Sequence, residues 1–383
     1  MMKNTSHLCR VLAAALVGAC AAAAQAQSAQ PASSVSLYGL LDTGVEYITN
    51  VSAAGGSLTR MPSNTGTLPS RLGMRGTEDL GNGLKAVFTM EMGIAPDQGT
   101  QGQGGRLFGR QAYVGLAGPW GSATLGRQYS MLFWSMLDAD IMGPALYGVG
   151  SLDAYVPNAR ADNALAYRGT FDRLTVGASY SFGRDTVNAG PSPAGTNCPG
   201  ESATDHKACR QWSLMAKYDA PVWGVSMAYD RQHGRTPASA TDPIFGNLTS
   251  SGKTDDRLAV GGYVKVAGAK IGGGLLRRDN DGDAVKPRSN LWYLGASYPL
   301  TSQLTLDGQA QTLRYRNTSD FNSTLLAARL VYNLSKRSAI YAQMGHIRND
   351  RLAAVSVSGG AAGSNPRAGG SQNAVNVGLR HSF

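Results

Sequence analysis

Along most of the chain, apolar and polar residues alternate with a period of two in segments of about ten residues. That period belongs to β-strands with unlike faces, one meeting an apolar environment and the other a polar one. Strands are expected near 35–48, 70–78, 83–95, 107–117, 121–129, 161–170, 174–183, 210–219, 222–233, 256–267, 269–279, 288–299, 303–316, 321–334, 338–349 and 372–383, sixteen in all. In one of them Trp212, Leu214, Ala216 and Tyr218 oppose Ser213, Met215, Lys217 and Asp219; in another Trp292, Leu294, Ala296 and Tyr298 oppose Leu291, Tyr293, Gly295 and Ser297. Both apolar faces begin and end on an aromatic, the mark of the two interfaces of a bilayer. The polar faces carry charge in mid-strand, at Lys85, Glu91, Lys217 and Arg329.

A soluble sandwich would turn the apolar faces inward and has no reason to bound them with aromatics. Spanning strands must satisfy every backbone group, which they do by closing into a barrel. The connectors agree. Short ones, such as Gly81-Asn82-Gly83, Gly118-Pro119-Trp120, Asp172-Arg173, Ala220-Pro221 and Leu334-Ser335-Lys336, alternate with long ones at 96–105, 184–208, 234–255 and 352–371. Short turns on one rim and long loops on the other characterise outer-membrane barrels. The expected fold is therefore all-β: a transmembrane antiparallel β-barrel of 16 strands, whose last strand, ending at Phe383, pairs with the first.

One connector departs from the polar pattern. Residues 130–159 hold Met131, Leu132, Phe133, Trp134, Met136, Leu137, Ile141, Met142, Leu146 and Tyr147, with only Asp138, Asp140 and Asp153 as acids. An exposed loop this apolar would invite association. It could cap the barrel end, form a short interfacial helix or fold into the lumen; the last accounts for both its length and its few acids.

Composition narrows the compartment. Lys3, His7 and Arg10 precede an Ala-rich apolar run that ends in Ala24-Gln25-Ala26, a secretory signal peptide over 1–26 with the remaining domain at 27–383. Val17-Gly18-Ala19-Cys20 is a weaker lipoprotein-like alternative. Beyond Gln27 no run approaches the roughly 18 apolar residues of a spanning helix. Cleavage would leave Cys198 and Cys209, with ten residues between them, in a Gly/Pro/Ser-rich loop. In an oxidising compartment they are expected to form a disulfide; a metal site has only His206 nearby and no zinc spacing. The net charge of +10 falls to +8 once Lys3 and Arg10 are subtracted. Arginines scattered over alternating strands make a poor nucleic-acid surface, and small anionic solutes or lipopolysaccharide phosphates are the expected partners.

Four segments carry a resemblance. They are Ser36-Leu37-Tyr38-Gly39 with Asp42 and Gly44; Ser70-Arg71-Leu72-Gly73-Met74-Arg75-Gly76-Thr77-Glu78-Asp79-Leu80-Gly81; Phe108-Gly109-Arg110-Gln111-Ala112-Tyr113-Val114-Gly115-Leu116; and Leu125-Gly126-Arg127-Gln128-Tyr129. In this order, and with the terminal Phe383, the chain resembles the general porins of Gram-negative bacteria over its whole length after the signal peptide. The resemblance implies a homotrimer of sixteen-stranded barrels in the cell outer membrane, each narrowed by an inward-folded third long loop, here residues 130–159. It also implies that wall arginines face loop acids across a constriction, and that Phe383 is an assembly signal read by the outer-membrane assembly machinery. Carried over by motif, the wall set is Arg71, Arg127 and Arg160 with Arg75, Arg110 and Arg168 as neighbours, and the loop set is Asp138, Asp140 and Asp153. The family's loop often carries a glutamate in a turn that here reads Met142-Gly143-Pro144-Ala145-Leu146-Tyr147-Gly148, without one.

Fixed charges in a narrow aqueous gap between low-dielectric walls focus their field. With six arginines against three acids, the expected function is a passive, mildly anion-selective diffusion channel for small hydrophilic solutes, without reaction or cofactor. Strict alternation places Arg110 with Ala112 and Val114, and Arg127 with Ala123 and Leu125, on the apolar face, so a bulge or a subunit contact is needed to reconcile them. A substrate-specific channel using Tyr38, Tyr113 and Tyr263 is the alternative within transport. A loop-mediated adhesin or receptor is a second class. A barrel hydrolase is a third, disfavoured by four dispersed histidines and no Gly-x-Ser-x-Gly.

Overall fold

The computed structural model describes residues 33–62, 66–184, 198, 200–236, 248–359 and 363–383. The expected signal peptide lies outside the described residues. Sixteen long antiparallel strands form the wall: β1 (Ser34–Val51), β3 (Arg71–Gly81), β4 (Leu84–Ala95), β6 (Gln111–Gly118), β7 (Gly121–Tyr129), β8 (Arg160–Phe171), β9 (Leu174–Ser181), β10 (Gln211–Asp219), β11 (Trp223–His233), β12 (Thr254–Val266), β13 (Ala269–Asn280), β14 (Arg288–Pro299), β15 (Leu304–Tyr315), β16 (Ser323–Asn333), β17 (Ser338–Asn349) and β18 (Gln372–Ser382). Two short strands inside long connectors, β2 (Gly56–Arg60) and β5 (Thr100–Gln101), have no counterpart in the alternation pattern because neither is long enough to show a period.

The wall closes through β1. Its first half pairs with β3, from Ser34 opposite Thr77 to Leu40 opposite Arg71. Its second half pairs with β18, from Leu40 opposite Ser382 to Ile48 opposite Ala374. Phe383 exchanges both backbone hydrogen bonds with Gly39, at 3.0 and 3.1 Å. No sheet edge is left in the wall, so the backbone is satisfied without water.

Face assignments follow the alternation. Leu214, Trp292, Leu294 and Tyr298 are exposed on the outside, whereas Ser213, Met215, Leu291 and Tyr293 are buried inside. No helix of the described residues is long and apolar enough to cross a membrane; the strands cross it. The interior is packed because connectors fold into it. The 130–159 loop opens with a six-residue helix, α1 (Met131–Met136), and fills the barrel with Leu132, Met142, Leu146, Tyr147 and Tyr155. The last long connector, expected on the rim, also turns inward: Val357, Ser358 and Ser364 are fully buried, and Ser151 of the 130–159 loop donates to the Val357 carbonyl at 2.9 Å. Its serines, polar enough for an exposed loop, are spent on hydrogen bonds inside the mouth.

In the connector that bears β2, residues 66–70 lie inside as well, held by Asp42. Its carboxylate accepts the Thr67 and Leu68 amides, both at 2.9 Å, and the Thr67 and Tyr341 hydroxyls, both at 2.6 Å. Cys198 and Cys209 form a disulfide across the 184–208 connector, Cα to Cα 5.4 Å.

Candidate functional site

Most hydrogen bonds between the inward loop and the wall run to β10, β11, β15 and β16. The Ser213 hydroxyl of β10 accepts the Met131 amide at 3.1 Å, and the Ser226 hydroxyl of β11 donates to the Ser135 carbonyl at 2.6 Å. Ala139 lies against Gly261 and Gly272, where side chains would block its approach. On β15, Gln309 accepts the Ile141 and Met142 amides at 3.0 and 3.2 Å, and Gln311 donates to the Tyr147 carbonyl at 3.0 Å. Arg329 on β16 donates to the Met142 carbonyl at 3.1 Å. An open cavity beside the loop lies against β1, β3, β4 and β6.

Glu91 stands at the centre of that side. On β4 the alternation sends Thr89, Glu91 and Gly93 inward while Met90 and Met92 face outward. The buried Glu91 carboxylate accepts from Arg110 Nε at 2.7 Å and the Tyr38 hydroxyl at 3.0 Å, with Arg71 Nε at 3.6 Å. Arg110 and Arg160 both donate to the Tyr129 hydroxyl oxygen, at 2.8 and 2.7 Å. The Arg160 guanidinium also sits 4.5 Å from the centre of the Tyr129 ring, and its further partners, Asn158 Oδ1 and the Pro157 carbonyl, are neutral. Two guanidinium groups, those of Arg71 and Arg110, thus share one carboxylate, and Arg160 is joined to them through Tyr129. Arg75 is exposed to the lumen beside the Tyr38 ring, 5.3 Å from its centre. Arg71, Arg75, Glu91 and Arg110 line a cavity whose other wall is Phe133, Leu137, Pro144 and Pro157 of the loop.

A sequence profile for Gram-negative porins matches residues 12–352. The chain belongs to the Gram-negative porins. This porin is 30% identical to outer membrane porin protein 32 of Delftia acidovorans over 97% of its own length and 99% of the relative's. It is 28% identical to an outer membrane porin protein of Bordetella pertussis, with 97% and 99% covered. Among solved structures, the anion-selective porin from Comamonas acidovorans aligns with a TM-score of 0.74 at 26% identity, covering 92% of this porin and all of that chain. OmpT of Vibrio cholerae, at 15% identity, shares the fold with a TM-score of 0.64 over 93% of this porin and 99% of that chain. The porin is a passive channel of the outer membrane.

The residues expected at the constriction divide into three groups in the porin. Arg71, Arg75 and Arg110 line the gap, with Arg160 behind them at Tyr129. Arg127 faces inward, contrary to strict alternation, because the register between β7 and β8 shifts between Gly126 and Gln128. It is buried and tied to Asp162 at 2.7 Å and to the Gly109 carbonyl at 2.7 Å, so it braces the wall. Arg110 escapes the apolar face because it precedes β6 and lies outside the regular alternation. Arg168 stacks on Trp134 of the loop, 4.1 Å from its ring centre.

The three loop acids do not face the arginine wall. Asp138 pairs with Lys217 on β10. Asp140 is held by Gln309 at 2.9 Å and the Gly143 amide at 3.1 Å, and burial pushes its carboxyl up to about 6. Asp153 meets Arg257 Nε on β12 at 3.0 Å; burial pushes its carboxyl up, but Arg257 and Arg278 outweigh that and hold it below the usual carboxylate range. The acids therefore fasten the porin's loop to the far wall and leave its apolar side towards the arginines.

Glu91 and Tyr129, which organise the arginines, were not singled out from sequence as site residues; the inward parity of Glu91 in mid-strand was the available signal. Tyr38, Tyr113 and Tyr263 all turn inward, but Tyr38 bonds Glu91, Tyr113 accepts from Thr89 at 3.1 Å and Tyr263 donates to Asp219 at 3.0 Å on the opposite wall. They form no continuous track.

Proposed function

We propose that the porin passes small hydrophilic solutes with a preference for anions, and that Arg71, Arg75 and Arg110 set that preference. The observation that carries the reading is the uneven neutralisation of the gap. On the arginine side one carboxylate, Glu91, serves Arg71 and Arg110, while each loop acid is drawn to a cation or amide on the other wall. The excess positive charge stands opposite apolar side chains, where a narrow aqueous path screens it least. The similarity to the anion-selective porin from Comamonas acidovorans supports the same sign.

The reading includes assembly as a homotrimer, in keeping with the trimer form described for OmpT of Vibrio cholerae. It also includes removal of residues 1–26 as a signal peptide, use of Phe383 by the outer-membrane assembly machinery, contact with outer-membrane lipid and lipopolysaccharide, and no catalysis.

The test is the reversal potential of single channels in a planar bilayer under a salt gradient. Anion preference is expected for the wild type. Arg71→Gln with Arg75→Gln should reduce it several-fold, while Arg168→Gln, remote from Glu91, should change it little. Cation preference in the wild type, or an unchanged ratio in the double variant, would place selectivity elsewhere.

A further inference from the structure

The outer surface carries a run of positive charge as well. Long connectors mark the extracellular rim, and the outward faces of three alternate strands approaching it, β13, β15 and β17, carry an arginine just beyond the apolar band. On β13 the outward series runs Ile271, Gly273, Leu275 and then Arg277; on β15 it ends in Ala310, Thr312 and Arg314; on β17 in Met344, His346 and Arg348. Each arginine thus follows directly on the apolar band. Arg277, Arg314 and Arg348 are all exposed. They also lie side by side across the sheet: Arg277 is opposite Asn290, Asn290 is opposite Arg314, Arg314 donates to Thr324 Oγ1 at 3.3 Å, and Thr324 is opposite Arg348.

Their neighbours Arg231 and Arg288 are neutralised, by Asp256 at 2.6 Å and Asp279 at 2.9 Å. Arg314 has only Asp350, at 3.7 Å, and Arg277 and Arg348 have no carboxylate partner among the described residues. The same edge on the other side of the barrel is uncharged, the outward faces ending in Leu72 on β3, Ile94 on β4 and Ala112 on β6.

We propose that this edge of β13 to β17 is a docking belt for the phosphate groups of outer-leaflet lipid, with Arg277, Arg314 and Arg348 as its main contacts. An arginine at the polar end of an apolar face is placed where a lipid's phosphate meets its acyl chains, and guanidinium binds phosphate through paired, charge-assisted hydrogen bonds. Exposed Trp292 and half-buried Leu275, just below, meet the chains. Strands lie roughly 4.8 Å apart, so arginines on alternate strands stand about 10 Å from one another along the edge. That spacing suits separate phosphates on one bisphosphorylated glycolipid or on adjacent lipids, and is too wide for three arginines to close around a single free phosphate. The inference rests on the outer-membrane lipid contact proposed above and specifies its chemistry and place.

The test uses the full protein in detergent, titrated with an acylated glucosamine disaccharide bearing two phosphates and with its dephosphorylated counterpart. Retained lipid is read by native mass spectrometry, and conductance is recorded on the same preparations. The wild type should retain the phosphorylated lipid selectively. Arg277→Gln/Arg314→Gln/Arg348→Gln should lose at least about tenfold in apparent affinity for it, with reversal potential unchanged because these side chains face away from the lumen. Arg75→Gln should do the reverse, keeping the lipid and altering selectivity; this second variant also shows that lipid loss is not a general effect of substitution. Equal retention of the dephosphorylated lipid, equal retention by the triple variant, or full displacement by millimolar inorganic phosphate would overturn the proposal. A change in wild-type conductance behaviour would instead count against the channel reading, not the belt.

Discussion

Asp140 sits under Gln309 with its carboxyl pushed up to about 6 by burial, which makes it the acid of the inward loop most sensitive to pH. The folded protein holds this proton more tightly than an unfolded chain does, so between roughly pH 4 and 6 the seating of the loop loses stability as pH rises. The charge runs the other way for transport: protonation on the acid side of about 6 removes a negative charge from the lumen. Anion preference in reversal-potential measurements should therefore grow as pH falls from 8 to 5. Asp140→Asn should show the low-pH preference throughout and lose that dependence. A wild-type ratio flat across the range would assign the loop's charge balance to Asp138 and Asp153.

At the scale of the element, β7 shows how one residue redirects another. Gly126 has a φ of +128°, and a Cβ there would overlap the Ala112 carbonyl oxygen of β6. The bulge it permits turns Arg127 from the lipid side to Asp162. Gly126→Val should abolish the bulge, at a cost of about 1–3 kcal/mol for the strained backbone, more with the steric overlap. The expected outcome is a lower urea midpoint for barrel folding, checked by the mobility shift between folded and heat-denatured protein. An unchanged midpoint would show that β7 has another way of turning Arg127 inward. The loop's ties to β10, β11, β15 and β16 belong to this scale too, since each joins residues about 80 to 190 positions apart and no local pattern announces them.

For the whole molecule, selectivity that comes from fixed charges in a water-filled gap must depend on ionic strength. The screening length falls from about 10 Å at 0.1 M to about 3 Å at 1 M. The ratio of anion to cation permeability should move towards unity over that range, measured at a constant salt gradient. A ratio independent of salt would indicate direct anion coordination by Arg71 and Arg110 in place of a long-range field. The sixteen strands, their inside and outside faces, the closing pair at Phe383 and the Cys198–Cys209 disulfide are legible in the sequence. Each follows from a local period, a turn or a compartment, which a few neighbouring residues encode. The inward course of the apolar 130–159 loop is legible for a similar reason, since so much apolar surface must be buried. What only the tertiary structure decides is which charges meet: Glu91 with Arg71 and Arg110, Asp162 with Arg127, the loop acids with Lys217, Gln309 and Arg257. These contacts join separate strands across the barrel, and a single Gly126 bulge is enough to reverse a side chain's face. A two-residue period records which side of the wall a residue occupies while it stays in register; it holds no information about the partner waiting there.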